Sequence, residues 1–267
     1  MRYAVSLYTF NDRPMPELVE EFGGYGFDAF SFNRQMLAEG DPKELRETAA
    51  AIRGQGFAAT VHSGFEQTPE MTSRFLELFG ESLRCLTFDR VSTETSTGAC
   101  LDVKRMQPVL ADVADQTEGT DVLFGVEDFP LDGAALDFCR PGLEPLLTNE
   151  RFGTLIDLGH LNYRVHSVGY FRHLSVEQYL AAVPVPIIEI HVHDNKGDRD
   201  SHAYIGYGNG DFAAMACGLR AAGFDGVSTI EVAWQFHDST PAEARRTARK
   251  SLQDWQAIWD AGAPRPA

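Results

Sequence analysis

Eight short apolar runs, each followed by a longer amphipathic stretch, recur along the 267 residues, and this alternation constrains the fold more than any other feature. The runs are Tyr3–Thr9, Phe27–Phe32, Phe57–His62, Arg84–Phe88, Asp121–Glu127, Phe152–Asp157, Pro186–His193 and Gly226–Val232. They are rich in Val, Ile, Phe and Thr, whose branched or aromatic side chains suit a pleated surface. Between them the apolar period lengthens to that of a helix, over Met15–Gly23, Pro42–Gln55, Pro69–Glu81, Val103–Gln116, Leu136–Leu147, Ser175–Ala182, Phe212–Ala222 and Pro241–Asp260. Asp41, Thr68 and Thr240 each place a capping side chain before a proline at the first helical position, and Gly56 and Gly223 supply stops. No Pro/Ser-rich linker and no shift of composition divides the chain. The pattern predicts an α/β protein, a single (β/α)8 TIM barrel over residues 1–267, with a doubly wound open sheet as the runner-up.

A barrel of this kind carries its chemistry at the carboxyl ends of the strands. Chemically able side chains gather there: Thr60-Val61-His62, Gly125-Val126-Glu127, Leu155-Ile156-Asp157, His191-Val192-His193 and Thr229-Ile230-Glu231. Side chains alternate across a strand, so Glu127, Asp157, His191 and Glu231, flanked by helix-facing Val126, Ile156, Val192 and Ile230, point into the barrel mouth. Three inward carboxylates and an imidazole are costly to bury uncompensated, and a divalent cation resolves the conflict. Oxygen-rich ligation with one nitrogen suits Mn²⁺ or Mg²⁺, and the histidine admits Zn²⁺ and Co²⁺. Glu189 has the parity of His191 but lies deeper, toward a structural place. His191 and His193 share a face, and periodicity does not choose between them.

Composition narrows the partners. With 23 Lys and Arg against 39 Asp and Glu the formal charge is −16, so no broad basic face exists to neutralise phosphates, which disfavours nucleic acid. Cys85, Cys100, Cys139 and Cys217 contain no CxxC pair, and the first residues show no apolar stretch followed by a small-residue cleavage site. No apolar segment approaches a membrane span. A cytoplasmic protein with free thiols is expected. Gly206, Gly208 and Gly210 do not directly follow a strand as a dinucleotide fingerprint does, so no nucleotide cofactor is expected. They read as a turn before a helix capped by Asp211, with a phosphate nearby as a weaker alternative. Arg245, Arg246, Arg249 and Lys250 read as a solvated helix face.

The stretch His191-Val-His-Asp-Asn-Lys-Gly, continuing through Asp200-Ser-His202 to Gly206-Tyr-Gly208-Asn-Gly-Asp-Phe212, together with the order Glu, Asp-x-x-His, His, Glu, resembles the xylose-isomerase-like barrel superfamily over nearly the whole chain. That superfamily includes sugar isomerases and epimerases and is related to apurinic-site endonuclease family 2. The resemblance implies that Glu127, Asp157, His191 and Glu231 bind one metal ion and that His160 contacts substrate. It further matches His62, Asp200 and His202 to positions that complete a multinuclear zinc site in the endonuclease-like members. The fourth strand departs from that pattern, offering Thr87-Phe88-Asp89-Arg90 where a further histidine is wanted.

Together these readings predict a metal-dependent isomerase or epimerase of a sugar, sugar phosphate or keto-polyol in carbohydrate metabolism. Glu127 and Glu231 exchange the proton, and His160, His62, His193, Asp200 and His202 line the substrate. A metal-dependent phosphodiesterase or a keto-sugar or keto-inositol dehydratase on the same scaffold are the alternatives. A small-molecule sugar is the expected partner, with neither nucleic acid nor membrane, and barrels of this type often pair as homo-oligomers.

Overall fold

The computed structural model describes residues 1–64, 69–95, 98–129, 140, 142–167, 174–233 and 239–262. Eight parallel strands close into a barrel: β1 (Arg2–Ser6), β2 (Ala29–Asn33), β3 (Ala58–Ser63), β4 (Leu83–Phe88), β7 (Leu123–Glu127), β8 (Phe152–Asp157), β9 (Ile187–Val192) and β10 (Val227–Ile230). Their order around the barrel follows the chain, and β1 seals against β10 through the register Arg2↔Val227 to Val5↔Ile230. The antiparallel pair β5 (Ser92–Thr95) and β6 (Gly98–Leu101) stands outside it.

Helices surround the strands: α1 (Met15–Gly24), α2 (Arg34–Glu39), α3 (Pro42–Gly54), α4 (Pro69–Phe79), α5 (Val103–Gln116), α6 (Leu158–Ser167), α7 (Val176–Ala181), α8 (Phe212–Ala221) and α9 (Pro241–Ala261). The caps read from the sequence operate at two of three starts. Asp41 accepts from the amides of Lys43 and Glu44, and Thr240 with Glu243 forms a reciprocal capping box. Thr68 lies outside the described residues. So does part of the helix expected over Leu136–Leu147, of which 142–147 are helical.

The outward faces of the strands, including Val5, Phe30, Val61, Leu86, Phe124, Val126, Ile156, Ile190 and Ile230, are buried against helix residues such as Leu18, Phe22, Ile52 and Leu219. Inside, the barrel is layered. Its floor is a separate cluster of small residues, Ala4, Ala29, Ala58 and Cys85 with Val227. Above it lies a polar tier, where Thr60, Thr87 and Thr229 surround Glu189. The strand-end residues stand above that tier.

Four features differ from the sequence reading. The first strand stops at Ser6 and turns through a single 3-10 turn, Leu7–Thr9, which redirects Tyr8. Helices α2 and α6 begin directly at strand ends, with no intervening loop to announce them. The β5–β6 pair was not anticipated. Arg245 is 4% exposed rather than solvated, because it joins α9 to the Asp12 and Glu21 carboxylates. Among the described residues no helix is long and apolar enough to cross a membrane.

Candidate metal and substrate site

At the carboxyl ends of the strands opens a cavity of about 630 Å³. Its walls include Glu127 from β7, Asp157 from β8, His191 from β9, Glu231 after β10, His62 from β3, His160 from α6, and Asp200 and His202 from the segment after β9. Eight of the nine residues named from the sequence therefore share one cavity. The ninth, His193, is fully buried behind that wall, with Nε2 at 2.9 Å from Asp157 Oδ1 and its ring stacked on His202 at 4.1 Å. As placed it supports Asp157 and does not line the cavity. The close seat is possible because position 159 is glycine: a Cβ there would lie 1.9 Å from the His193 ring.

His191 Nδ1 faces both Glu231 Oε2 at 2.9 Å and Asp157 Oδ2 at 3.8 Å. One ligand atom from each of Glu127, Asp157 and His191 falls within a sphere of contact of 4.8 Å, and Glu231 adjoins that set through His191. Three carboxylates and one imidazole, all nearly buried, form the hard donor set that a divalent cation takes. The residues fit such an ion. Four further groupings have similar closeness: His193 with Asp200 and His202, His62 with Asp89 and Glu127, and His160 with either Asp157 and His193 or Glu127 and Asp128.

Proton positions in this site are strongly displaced from their ordinary values. Burial pushes Glu127 up to about 7, against the opposing pull of His62. His191 rises to about 10: burial opposes its charge, but Glu231 and then Glu189 and Asp157 outweigh it. His202 rises to about 9 by the same balance, with burial overcome by Glu231 and Asp200. Glu231 falls well below the carboxylate range, since His191 and His202 overcome its burial, and Asp157 falls likewise beside His160 and His193. The imidazolium groups thus hold the positive charge that a bound cation would replace.

His160 is not a loop residue, as its sequence context suggested, but sits in the first turn of α6. Its amide donates to Asp157 Oδ1 at 2.8 Å. Its Nδ1 lies 3.1 Å from Asp128 Oδ2, and Nε2 lies 3.3 Å from Asp200 Oδ2. Asp128 was not among the sequence candidates. It is 2% exposed, bonds Arg164 Nη2 at 2.8 Å, and has φ of 51°, in the left-handed region. Its neighbour parity pointed outward, and the backbone turn, invisible to periodicity, brings it in. Tyr8 was also missed: its phenol hydrogen-bonds Glu231, and burial beside that carboxylate raises it far above its ordinary value. Asp89 stands where a histidine was sought. Its Oδ1 lies 3.1 Å from His62 Nε2, and the inward parity it shares with Thr87 was the available signal.

The glycine-rich segment has an internal partner. The amides of Asn195, Gly206, Gly208 and Gly210 all donate to the Asp194 carboxylate, at 2.8, 3.0, 2.8 and 3.2 Å. A Cβ on residue 208 would lie 1.8 Å from the Asn195 carbonyl oxygen, which explains the glycine. These amides form a nest already filled by the chain's own anion, so the phosphate suggested near them finds no free donors there.

A family model described as a xylose isomerase-like TIM barrel matches residues 93–255. The chain belongs to this xylose isomerase-like family. Solved structures resemble it over nearly their full length. L-ribulose 3-epimerase shares 13% identity, covers 100% of this chain and 99% of its own, and superposes with a TM-score of 0.71. D-psicose 3-epimerase of Clostridium cellulolyticum H10, solved with D-tagatose, shares 12% identity with 97% and 99% covered and a TM-score of 0.69. The 3-keto-D-glucoside 4-epimerase of E. coli shares 19% identity with 96% and 99% covered and a TM-score of 0.67. At these identities the likeness is one of fold. In sequence, the uncharacterized protein MJ1311 of Methanocaldococcus jannaschii is 27% identical over 125 residues, 46% of this chain and 41% of that protein. The match thus spans less than half of that relative's length.

Proposed function

We propose that this member of the xylose isomerase-like family is a divalent-metal-dependent isomerase or epimerase of a ketose or related keto-polyol. The observation that carries this reading is the convergence of Glu127, Asp157, His191 and Glu231 on one cavity with His160 beside them. That solved sugar epimerases share the fold supports it.

Glu127, Asp157, His191 and Glu231 would hold the ion. When bound, it would polarise a carbonyl of the sugar and acidify the neighbouring C–H. Glu231, held ionised by His191 and His202 in the metal-free chain and by the cation that would replace their charge, is suited to accept the α-proton on a carboxylate oxygen. Glu127, poised at about 7 in its buried setting, is suited to return one, and the roles exchange in the reverse direction. His160, fixed on one side by Asp128, presents its other nitrogen beside Asp200 at the cavity wall, where it can orient a substrate hydroxyl. Tyr8, in the turn after the adjacent strand β1, anchors Glu231 by a hydrogen bond.

The test is loss of the substrate α-proton to D₂O, followed by NMR over a panel of ketoses with Mn²⁺-loaded protein. Glu127→Gln and Glu231→Gln are each expected to slow exchange about 10²–10⁴-fold, with metal content measured in parallel. Undiminished exchange in both variants would remove the assignment.

One set of observations favours a second reading. The groupings around His193–Asp200–His202 and His62–Asp89 could hold additional ions, as a metal-dependent phosphodiesterase requires. More than one tightly held zinc per chain, with cleavage at abasic sites, would favour that activity. The charge of −16 weighs against a nucleic-acid substrate. A keto-sugar dehydratase would share the first proton transfer and differ in its product. Association into a homo-oligomer and a cytoplasmic location are proposals of the same standing.

A further inference from the structure

Glu189 lies beneath the site and takes no part in the chemistry above. It is fully buried, and no Lys or Arg is paired with it among the described residues. Three hydroxyl groups from three other strands hold it. Thr60 Oγ1 on β3 and Thr229 Oγ1 on β10 donate to Oε1, each at 2.9 Å, and Thr87 Oγ1 on β4 donates to Oε2 at 3.2 Å. A barrel interior is ordinarily filled with branched aliphatic side chains. An acid in the middle tier, provided with donors from three directions, needs a reason.

The reason is found one tier up. His191 turns Nδ1 toward Glu231 and Asp157, so its Nε2 points down into the barrel. That Nε2 is buried and has no hydrogen-bond partner, and it lies 4.0 Å from Glu189 Oε1. An imidazole that offers Nδ1 to a cation must keep its proton on Nε2. Buried N–H groups require an acceptor, and Glu189 Oε1 is the oxygen that faces this one. The other oxygen reaches a second histidine. Thr87 gives its hydroxyl proton to Glu189 Oε2, so its oxygen is left to accept from His62 Nδ1 at 3.0 Å. His62 Nε2 faces the Asp89 carboxylate at 3.1 Å and donates to it, so in this arrangement both His62 nitrogens act as donors and Glu189 singles out neither.

We infer that Glu189 is a positioning residue that fixes which ring nitrogen His191 presents to the cavity. Carboxylates behind ligating histidines commonly act in this way, and removing them typically weakens metal binding 10–100-fold. The inference deepens the metal-site reading given above and rests on it, though it is independent of which reaction follows.

The test uses the full chain labelled with ¹⁵N-histidine and loaded with Zn²⁺, which is diamagnetic. Long-range ¹H–¹⁵N correlation should show the His191 proton on Nε2 in the parent protein. Glu189→Gln preserves shape and is expected to lower affinity for Zn²⁺ and Mn²⁺ about 10–100-fold by calorimetry, with the His191 ring N–H exchanging faster. Thr87→Val, a milder change should the first variant fail to fold, removes one of the three hydroxyls that hold the Glu189 carboxylate and is expected to weaken Zn²⁺ binding in the same direction but by less. Parent-like affinity in Glu189→Gln (in Thr87→Val should Glu189→Gln not fold), or a His191 proton found on Nδ1, would overturn the assignment. No sugar is present in these measurements. Failure of every ketose to exchange would therefore remove the proposed reaction alone, whereas a parent chain that takes up no ion would remove both.

Discussion

At the scale of single residues, Asp128 concentrates the most constraint. It holds a left-handed backbone at φ of 51°, a buried ion pair to Arg164 and the Nδ1 side of His160. Burial opposes its ionisation, yet the Arg164 guanidinium and His160 keep it below the usual carboxylate range. Asparagine tolerates the same backbone, so Asp128→Asn removes only the charge. Stranding the guanidinium is expected to cost about 3 kcal/mol of unfolding free energy, read by urea denaturation. Why Asp128 escaped the sequence reading is instructive. Glu127, Asp157, His191 and Glu231 were legible because strands alternate strictly and each follows an apolar run. Asp128 enters by a backbone reversal that no period encodes. Tyr8 enters through a 3-10 turn that replaced the end of an expected strand. Glu189 was visible by parity, but its role depends on threonines from β3, β4 and β10 whose convergence is a property of the closed barrel.

At the scale of elements, the segment from Asp194 to Asp211 shows how a long connection is kept in order without regular structure. Its hub is one carboxylate receiving four amides, and Asp200 and His202 ride on the loop so formed. Hydrogen bonds to a charged acceptor contribute about 1.5–3 kcal/mol. Asp194→Asn is expected to speed hydrogen exchange at the Gly206, Gly208 and Gly210 amides roughly 10–100-fold, leaving the strand amides of β8 and β9 protected. Uniform loosening across the barrel would contradict a local role. The sequence disclosed the length of this loop and its glycines but not their partner, since the hub precedes them by 12 to 16 residues, just beyond the end of β9. The barrel strands and most crossover helices were legible, because caps and apolar periods agree. Helices α2 and α6 were not, because each starts at the residue directly after its strand ends, where two periods merge.

For the molecule as a whole, the displaced protons couple stability to pH and to metal. Glu127 at about 7 stands above its ordinary 4.5, and His191 at about 10 and His202 at about 9 stand above 6.5. The folded, metal-free chain therefore holds more protons than the unfolded chain across this interval. The histidines' contribution is complete below 6.5 and is lost as pH rises through their folded values, while that of Glu127 is lost between about 4.5 and 7. Asp128, Asp157 and Glu231 act oppositely, losing their contribution in acid below their ordinary range. In chelator the thermal midpoint should thus fall from pH 5.5 to pH 9.5, and saturating Mn²⁺ should flatten or reverse that slope by replacing protons with the ion. A midpoint in chelator that ignores pH over this range would refute the coupling.

The short helix α2 stands apart from all of this. Asn33, which caps it, and Arg34, Gln35, Ala38 and Glu39 form one wall of the cavity, yet none belongs to a cation-holding group among the described residues. The cavity wall supplied by α2 and the carboxylate–histidine cluster are therefore written in different places in the sequence. If the proposed reaction holds, a lineage carrying this barrel could change what it acts upon by drift in these five residues, while the chemistry beneath them stays as it was.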